Sequence, residues 1–382
     1  MNITDVKAIL GRKLAGANID DIQGISDYTL FKEAAVNLIS QVRPAETTRR
    51  TTLSVFTDVY DYAPPTDLVD VKDIRPQTAT RDERENPTRR FTEDFDQEKG
   101  QEDFSLEWED ANRKLRYVKS VGGNIGIHTM DGLATNGTWD GTAANIALDT
   151  ENPYKGSGSI IADYDTGEYI ENDDFTAVDL SDHKNKSTLF LAAYFPDASL
   201  VTDVALRWGS SSSAYFSRTV TAPQFGSFRN GWNLIPFVWN GATETGTVDA
   251  TGIDYLRVTL TLSTSDTDIK IDNIFSALGE IQDLVYYSKY LFRSSAGTWL
   301  EAPTADSDLV NLDDDAENLF VYECIRLAAR GLQGRSETYL DYTKTLYGDG
   351  KDVGDYARYK ERNPEERIRP QSQYRNLGYN KK

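Results

Sequence analysis

The sequence predicts an α+β chain in which a discontinuous helical domain with short β-hairpins, built from both ends, is interrupted by an inserted antiparallel β-sandwich. Three observations predict it. Apolar residues recur at three- and four-residue intervals near both termini. Between residues 122 and 277, Gly, Ser, Thr, Asn and Asp rise while Lys and Arg nearly vanish, and short apolar runs alternate with polar turns. Neither end carries enough apolar surface for a core alone, so the ends are expected to share one. At 382 residues the chain exceeds what one core supports, and two domains are expected, 1–121 with 278–362 and the insertion at 122–277, followed by a basic extended arm at 363–382.

The elements follow in order. Val6, Ile9, Leu10 and Leu14 mark a first helix. Leu30, Phe31, Ala34, Ala35, Leu38 and Val42 mark a second, capped at Ser26 or Asp27 and closed by Pro44. The period then falls to two at Leu53, Val55 and Thr57, and Pro64 and Pro65 end that strand before an extended segment from Leu68 to Ile74. Residues 77–101 are crowded with charge and read as a long exposed arm. Phe104, Leu106 and Trp108, then Leu115, Tyr117 and Val118, suggest a hairpin.

Inside the insertion, runs at Ser159–Ala162, Thr188–Phe195, Val204–Trp208, Tyr215–Ser217, Trp232–Phe237, Tyr255–Leu262 and Ile269–Ile271 have the even spacing of a sandwich. After it, a hairpin is expected between Val285–Phe292 and Thr298–Leu300. Asp313, Asp314 and Asp315 then crowd a helix N-terminus, where negative charge is stabilised by the helix dipole. Ala316, Leu319, Phe320, Cys324, Leu327 and Ala328 form that helix's stripe, with Gly331 at its C-cap. Tyr339, Tyr342 and Leu346 mark one more helix, and the remainder reads as extended. No local repeat of fixed period argues for a solenoid or propeller.

A formal net charge of −20 repels duplex nucleic acid and argues against a general nucleic-acid-binding role. The tail runs the other way, with Arg367, Arg369, Arg375, Lys381 and Lys382 set against Glu365 and Glu366. It reads either as a docking arm for an acidic partner or as a solvated terminus. Cys324 is alone, which excludes an intrachain disulfide and suggests a small core residue. No apolar run is long enough to cross a membrane as a helix, and Met1–Asp5 lacks the pattern of a signal peptide, so a product made and used in the cytoplasm, or packaged there, is expected.

Two resemblances extend this reading. The N-terminal helix pair, the passage Val59-Tyr60-Asp61-Tyr62-Ala63-Pro64-Pro65-Thr66-Asp67-Leu68-Val69, and Tyr286–Phe292 running through Ala305-Asp306-Ser307-Asp308 to the capped helix resemble the head-to-tail connector, or adaptor, proteins of tailed bacteriophages. The resemblance covers roughly half the chain. It implies a virion neck component made in the host cytoplasm: a homo-oligomeric ring, commonly dodecameric, that joins the portal protein to tail, nozzle or stopper proteins and extends the DNA channel without specific DNA binding. Arg367, Arg369, Arg375, Lys381 and Lys382 would form its portal-docking arm. The large insertion departs from many adaptors. It resembles the jelly-roll fold of carbohydrate-binding modules through Asp149-Thr150, Lys155-Gly156-Ser157-Gly158-Ser159-Ile160, Gly231-Trp232-Asn233 and Ile269-Lys270-Ile271-Asp272-Asn273-Ile274. That resemblance implies glycan as an alternative partner, with a structural calcium near Asp272; the plainer reading makes Asp272 and Asn273 a turn or a backbone hydrogen bond.

Catalysis needs a constellation. His128 and His183 are the only imidazoles and lack two-His spacing. Gly122-Gly123-Asn124-Ile125-Gly126 lacks the Lys and Ser of a phosphate loop and reads as a domain junction. The adjacent pairs Asp173-Asp174 and Asp313-Asp314 do not suit the two flanking carboxylates of glycoside hydrolysis. A non-enzymatic protein is expected, without catalytic, cofactor or metal-ligating residues. Trp139, Tyr154, Trp208, Tyr215 and Trp232 are the candidate glycan-stacking aromatics, with sandwich core as the competing reading.

Overall fold

The computed structural model describes residues 1–14, 22–76, 89–90, 103–109, 112–118, 121–332 and 334–363. The docking-arm residues Arg367, Arg369, Arg375, Lys381 and Lys382, and most of the charged arm at 77–101, lie outside them. The chain divides into two compact units: Met1–Thr52, Pro65–Arg89 and Asp283–Lys382 in one, and Leu53–Pro64 with Arg90–Gln282 in the other.

The first unit brings the two ends of the sequence into one hydrophobic core. Helix α1 (Ile3–Lys13) opens with a reciprocal cap, in which the Asn2 side chain accepts from the Asp5 N–H and the Asp5 carboxylate accepts from the Asn2 N–H. Helix α2 (Thr29–Val42) begins at Tyr28 rather than at Ser26 or Asp27; Tyr28 takes a left-handed backbone, and Asp27 holds the Thr29 N–H. Helix α3 (Asp314–Gly331) is capped by Asp313, whose carboxylate accepts from the Ala316 N–H at 2.7 Å. Gly331 is the last helical residue and Leu332 the cap, one position later than expected. Helix α4 is Ser336–Tyr347 and α5 is Asp355–Arg362. Helix α5 falls where the sequence pattern reads as extended tail: apart from Ala357 its only apolar residues are Tyr356 and Tyr359, both buried, too short a stripe to show in a charged segment.

Ile3, Val6, Leu10, Phe31, Leu38, Phe320, Cys324, Leu346 and Tyr356 meet in this core. At its centre Glu323, fully buried, accepts from Arg326 Nε at 2.9 Å, Asn37 Nδ2 at 2.7 Å and the Tyr356 hydroxyl at 3.3 Å, tying α2, α3 and α5 together. Backbone bonds add to the closure, Ile3 N–H to the Asp308 carbonyl (3.1 Å) and Val310 N–H to the Met1 carbonyl (2.9 Å). Thr48–Val55, Glu280–Ser288 and Leu68–Pro76 form a three-stranded sheet in that order. The hairpin expected from Val285 is shorter and lies further on, Phe292–Arg293 against Trp299–Leu300.

The second unit is a sandwich of two six-stranded sheets. One runs Gly231–Val238, Ser187–Phe195, Asp266–Leu278, Ser159–Tyr164, Ala144–Asp149, with Asn124–His128 also on Asp266–Leu278. Asn124, Ile125 and Gly126 are therefore strand residues, and only Gly122 and Gly123 act as a junction. The other sheet runs Thr243–Thr245, Ala214–Val220, Val201–Ser211, Tyr255–Leu262, Tyr169–Asn172, Asp140–Gly141. Alternate residues point inward, as the two-residue period requires, so Leu206, Trp208, Phe216, Val258, Leu191, Phe237 and Ile271 fill the core. Trp208, Trp239 and Phe216 pack ring on ring, with Trp208 and Trp239 edge to face at 5.5 Å.

This unit is larger than residues 122–277. It also takes in Leu53–Pro64 and the hairpin of Asp103–Glu109 with Asn112–Val118. Phe56 accounts for part of that, since its ring meets Phe190 edge to face at 5.0 Å, and Phe190 stacks on Phe275 at 5.2 Å.

Candidate ligand-binding face

The outer face of the second sheet collects its chemistry by register. Arg207 lies opposite Arg257 on one side and Ser217 on the other, and Arg257 lies opposite Glu171. The row across the sheet is thus Glu171, Arg257, Arg207, Ser217. In the next row Gly209 separates Tyr255 from Tyr215, its two cross-strand partners. A Cβ at Gly209 would meet the Ala214 carbonyl and the Tyr215 backbone, so only glycine lets the strands approach here, and the Tyr215 and Tyr255 rings pack on each other with centroids 6.2 Å apart.

Contacts then fix the side chains. Arg257 lies 3.9 Å from the Tyr169 ring centroid and Arg207 4.7 Å from that of Tyr215. Glu171 Oε2 accepts from Arg257 at 2.6 Å and from the Tyr255 hydroxyl at 3.1 Å. Tyr255 is fully buried, and burial first, with Glu171 also contributing, pushes its phenol up to about 12. Tyr169, Tyr215, Arg207 and Arg257 remain half-buried, with edges open to solvent.

A second aromatic group lies on the outer side of the first sheet. Trp232 stands 5.7 Å from Tyr154 and 5.6 Å from Tyr194, ring to ring, and its indole N–H donates to the Asn152 carbonyl at 3.1 Å. Tyr154, Trp232, Phe225, Arg229, Asp58 and Asp61 are among the residues lining an open recess of about 140 Å³. Burial pushes the Tyr154 phenol up to about 12, with nearby Asp61 adding to it.

The five aromatics expected to stack on sugar therefore separate. Trp139 and Trp208, at 2% and 0% exposure, are core residues: both sit at inward positions where an indole fills the space between sheets. Tyr154 and Trp232 share the recess, and Tyr215 belongs to the other face. Arg207, Arg257, Tyr169, Tyr255 and Glu171 escaped the sequence reading. The alternation Tyr255-x-Arg257 and Arg207-x-Gly209 was the available signal, but only strand pairing brings those residues side by side.

Asp272 lies in no turn. It sits inside the strand Asp266–Leu278 beside a bulge at Asn273, whose φ of 39° is left-handed, and its Oδ2 accepts from the Lys155 N–H at 2.9 Å. Its Oδ1 is buried without a partner among the described residues, which suits a hard cation, and Asp131 is close enough to add repulsion. Burial is the main reason its carboxyl is raised to about 6. Among the described residues, no group of three or more His, Cys, Asp and Glu gathers as a metal site.

The remaining candidates serve the fold. His128 accepts the Met130 N–H on Nδ1 (3.0 Å) and lies 2.8 Å from the Asn136 carbonyl through Nε2; burial lowers its pKa. His183 Nδ1 lies 2.9 Å from Ser276 Oγ, itself bonded to Ser187, all three buried. Cys324 is fully buried, which raises its thiol pKa. Asp174 accepts from the Thr138 N–H and Asp313 caps α3.

No protein-family model matches the chain, and no curated protein matches it. Solved structures similar to it include the family 11 carbohydrate-binding module from Clostridium thermocellum in complex with a β-1,3-1,4-mixed-linked tetrasaccharide, at 12% identity over 41% of this chain and 96% of that one, TM-score 0.30. The C-terminal family 22 carbohydrate-binding module of Clostridium thermocellum Xyn10B follows at 17% identity over 40% and 91%, TM-score 0.25. The family 30 module of a cellulosomal cellulase from Clostridium thermocellum stands at 9% identity over 42% and 97%, TM-score 0.28. At these scores the likeness carries no argument about what this chain binds.

Proposed function

We propose that the sandwich unit is a carbohydrate-binding module and that its Tyr169–Arg257–Arg207–Tyr215 face is the binding surface. One observation carries the reading: two half-buried tyrosine rings, Tyr169 and Tyr215, flank two half-buried guanidiniums on adjacent strands. Rings offer flat apolar area to the apolar face of a sugar, and convergent polar groups fix its orientation. The role is binding without turnover. A glycan array followed by calorimetry on the full chain tests it: the wild type should retain a glycan, Tyr215→Ala should weaken it by about tenfold, roughly 1.4 kcal/mol, and the bound glycan should show no new reducing ends. A wild-type chain that retains nothing on the array removes the proposal.

A second reading, compatible with the first, rests on the helical unit. The N- and C-terminal segments share one core, closed by Glu323 and by Ile3 and Val310, which makes the sandwich an insertion in a helical body. That organisation supports a virion neck adaptor, a homo-oligomeric ring between portal and tail with the sandwich as its appended binding domain. Electron microscopy of the chain mixed with portal assemblies should show rings at the portal; a chain that neither forms rings nor binds portal excludes it.

A further inference from the structure

We infer that the Arg207–Arg257 row takes a sugar bearing a carboxylate, a hexuronate unit of an acidic polysaccharide. This rests on the carbohydrate reading and narrows its ligand class. Like charges directly opposite on neighbouring antiparallel strands cost stability, yet the register sets Arg207 against Arg257. Glu171 offsets only one of them: it pairs with Arg257 at 2.6 Å, whereas among the described residues no carboxylate forms an ion pair with Arg207. Arg207 is held instead by the Tyr215 ring, at 4.7 Å, a contact that attracts the guanidinium but supplies no negative charge to neutralise it.

The neighbours do not dilute that charge. Ser217 flanks Arg207 across the sheet, and Ala205 and Gly209 precede and follow it on the same face of its own strand. The chain as a whole carries 61 acidic against 41 basic residues, so a cation left without an acid in mid-sheet runs against composition. At physiological salt the acidic remainder of the surface is screened beyond about 8 Å, and the local charge dominates what touches it.

Hydrogen-bonding capacity points the same way. A guanidinium only donates, and Glu171, the one carboxylate of the row, already accepts from Arg257 and Tyr255. A neutral sugar, whose hydroxyls need acceptors as well as donors, meets two cations against one carboxylate in this row. A carboxylate accepts only, and its geometry matches the planar fork of Arg207 in a bidentate pair.

Calorimetry on the full chain tests this with tetrasaccharides of galacturonate, glucuronate and mannuronate, their methyl esters, a sulfated tetrasaccharide without carboxylate, and neutral cellotetraose and mannotetraose. At least one uronate should bind about tenfold or more tighter than its own methyl ester. Arg207→Met should abolish that preference, and Arg207→Lys should keep part of it, with neither variant unfolding at a lower temperature than wild type. Equal binding of acid and ester, or a preference that survives Arg207→Met, overturns the carboxylate assignment while leaving carbohydrate binding standing. Binding of the sulfated sugar alone overturns it too, and binding of none of these sugars, with an empty glycan array, removes both readings together.

Discussion

Arg207 and Arg257 stand opposite each other on adjacent antiparallel strands, and Glu171 reaches only Arg257. The arrangement stores an unneutralised positive charge on a half-buried sheet face of a chain whose net charge is −20. Its stability and its ligand preference are therefore coupled through the same carboxylate.

Glu171→Gln should change both at once. Arg257 keeps a neutral acceptor but loses its charge partner, and the two guanidiniums repel without offset. Loss of a hydrogen bond between charged groups predicts destabilisation of about 1–3 kcal/mol, read by urea unfolding, together with tighter binding of a uronate tetrasaccharide. Unchanged stability would show that the pair contributes nothing to the fold.

The two tryptophan classes should part under mutation. Trp208→Ala empties a fully buried ring position against Trp239 and Phe216, and should cost about 3–5 kcal/mol. Trp232→Ala removes a half-exposed ring beside Tyr154 and should cost less than half as much, measured in the same denaturant series.

Asp272 predicts a pH dependence with a definite sign. Its folded carboxyl is raised to about 6 from an ordinary 3.8, chiefly by burial, so the folded state holds the proton more tightly than the unfolded one. This contribution is full below pH 3.8 and is lost as pH rises through about 6. Thermal unfolding in chelator should fall across that window relative to Asp272→Asn, which keeps an acceptor for the Lys155 N–H and has no proton to lose. Calcium that raises the wild type at neutral pH, and not Asp272→Asn, would identify the partner of the orphaned Oδ1.

Glu323→Ala should unfold the helical unit more readily than any surface change there. It leaves Arg326 largely buried without its acid and Asn37 and Tyr356 without their acceptor, a loss of about 3–5 kcal/mol. A double replacement, Glu323→Met with Arg326→Leu, should recover much of it, because two apolar side chains of similar size have no charge to desolvate.

Local pattern made the elements legible. The 3.6-residue period located α1, α2, α3 and α4, three aspartates marked the start of α3, and alternation marked the long strands of both sheets. Where a segment had only two apolar positions, as in α5, or where a glycine pair ran straight into a strand at Asn124, local pattern was too short to decide.

Sequence by itself determined that this chain has helical ends, a β-rich middle poor in basic residues, two imidazoles far apart in the chain, and a lone thiol in a helical stripe. Periodicity and composition suffice for these because each depends on residues near one another in the chain. Only the tertiary structure decided that Phe56 belongs with the sandwich, that Trp139 and Trp208 point inward while Trp232 does not, and that Arg207 faces Arg257. Those outcomes depend on packing and register between residues distant in the chain, as for Arg207 and Arg257, and a shift of one residue in a strand pairing would turn its side chains to the opposite face.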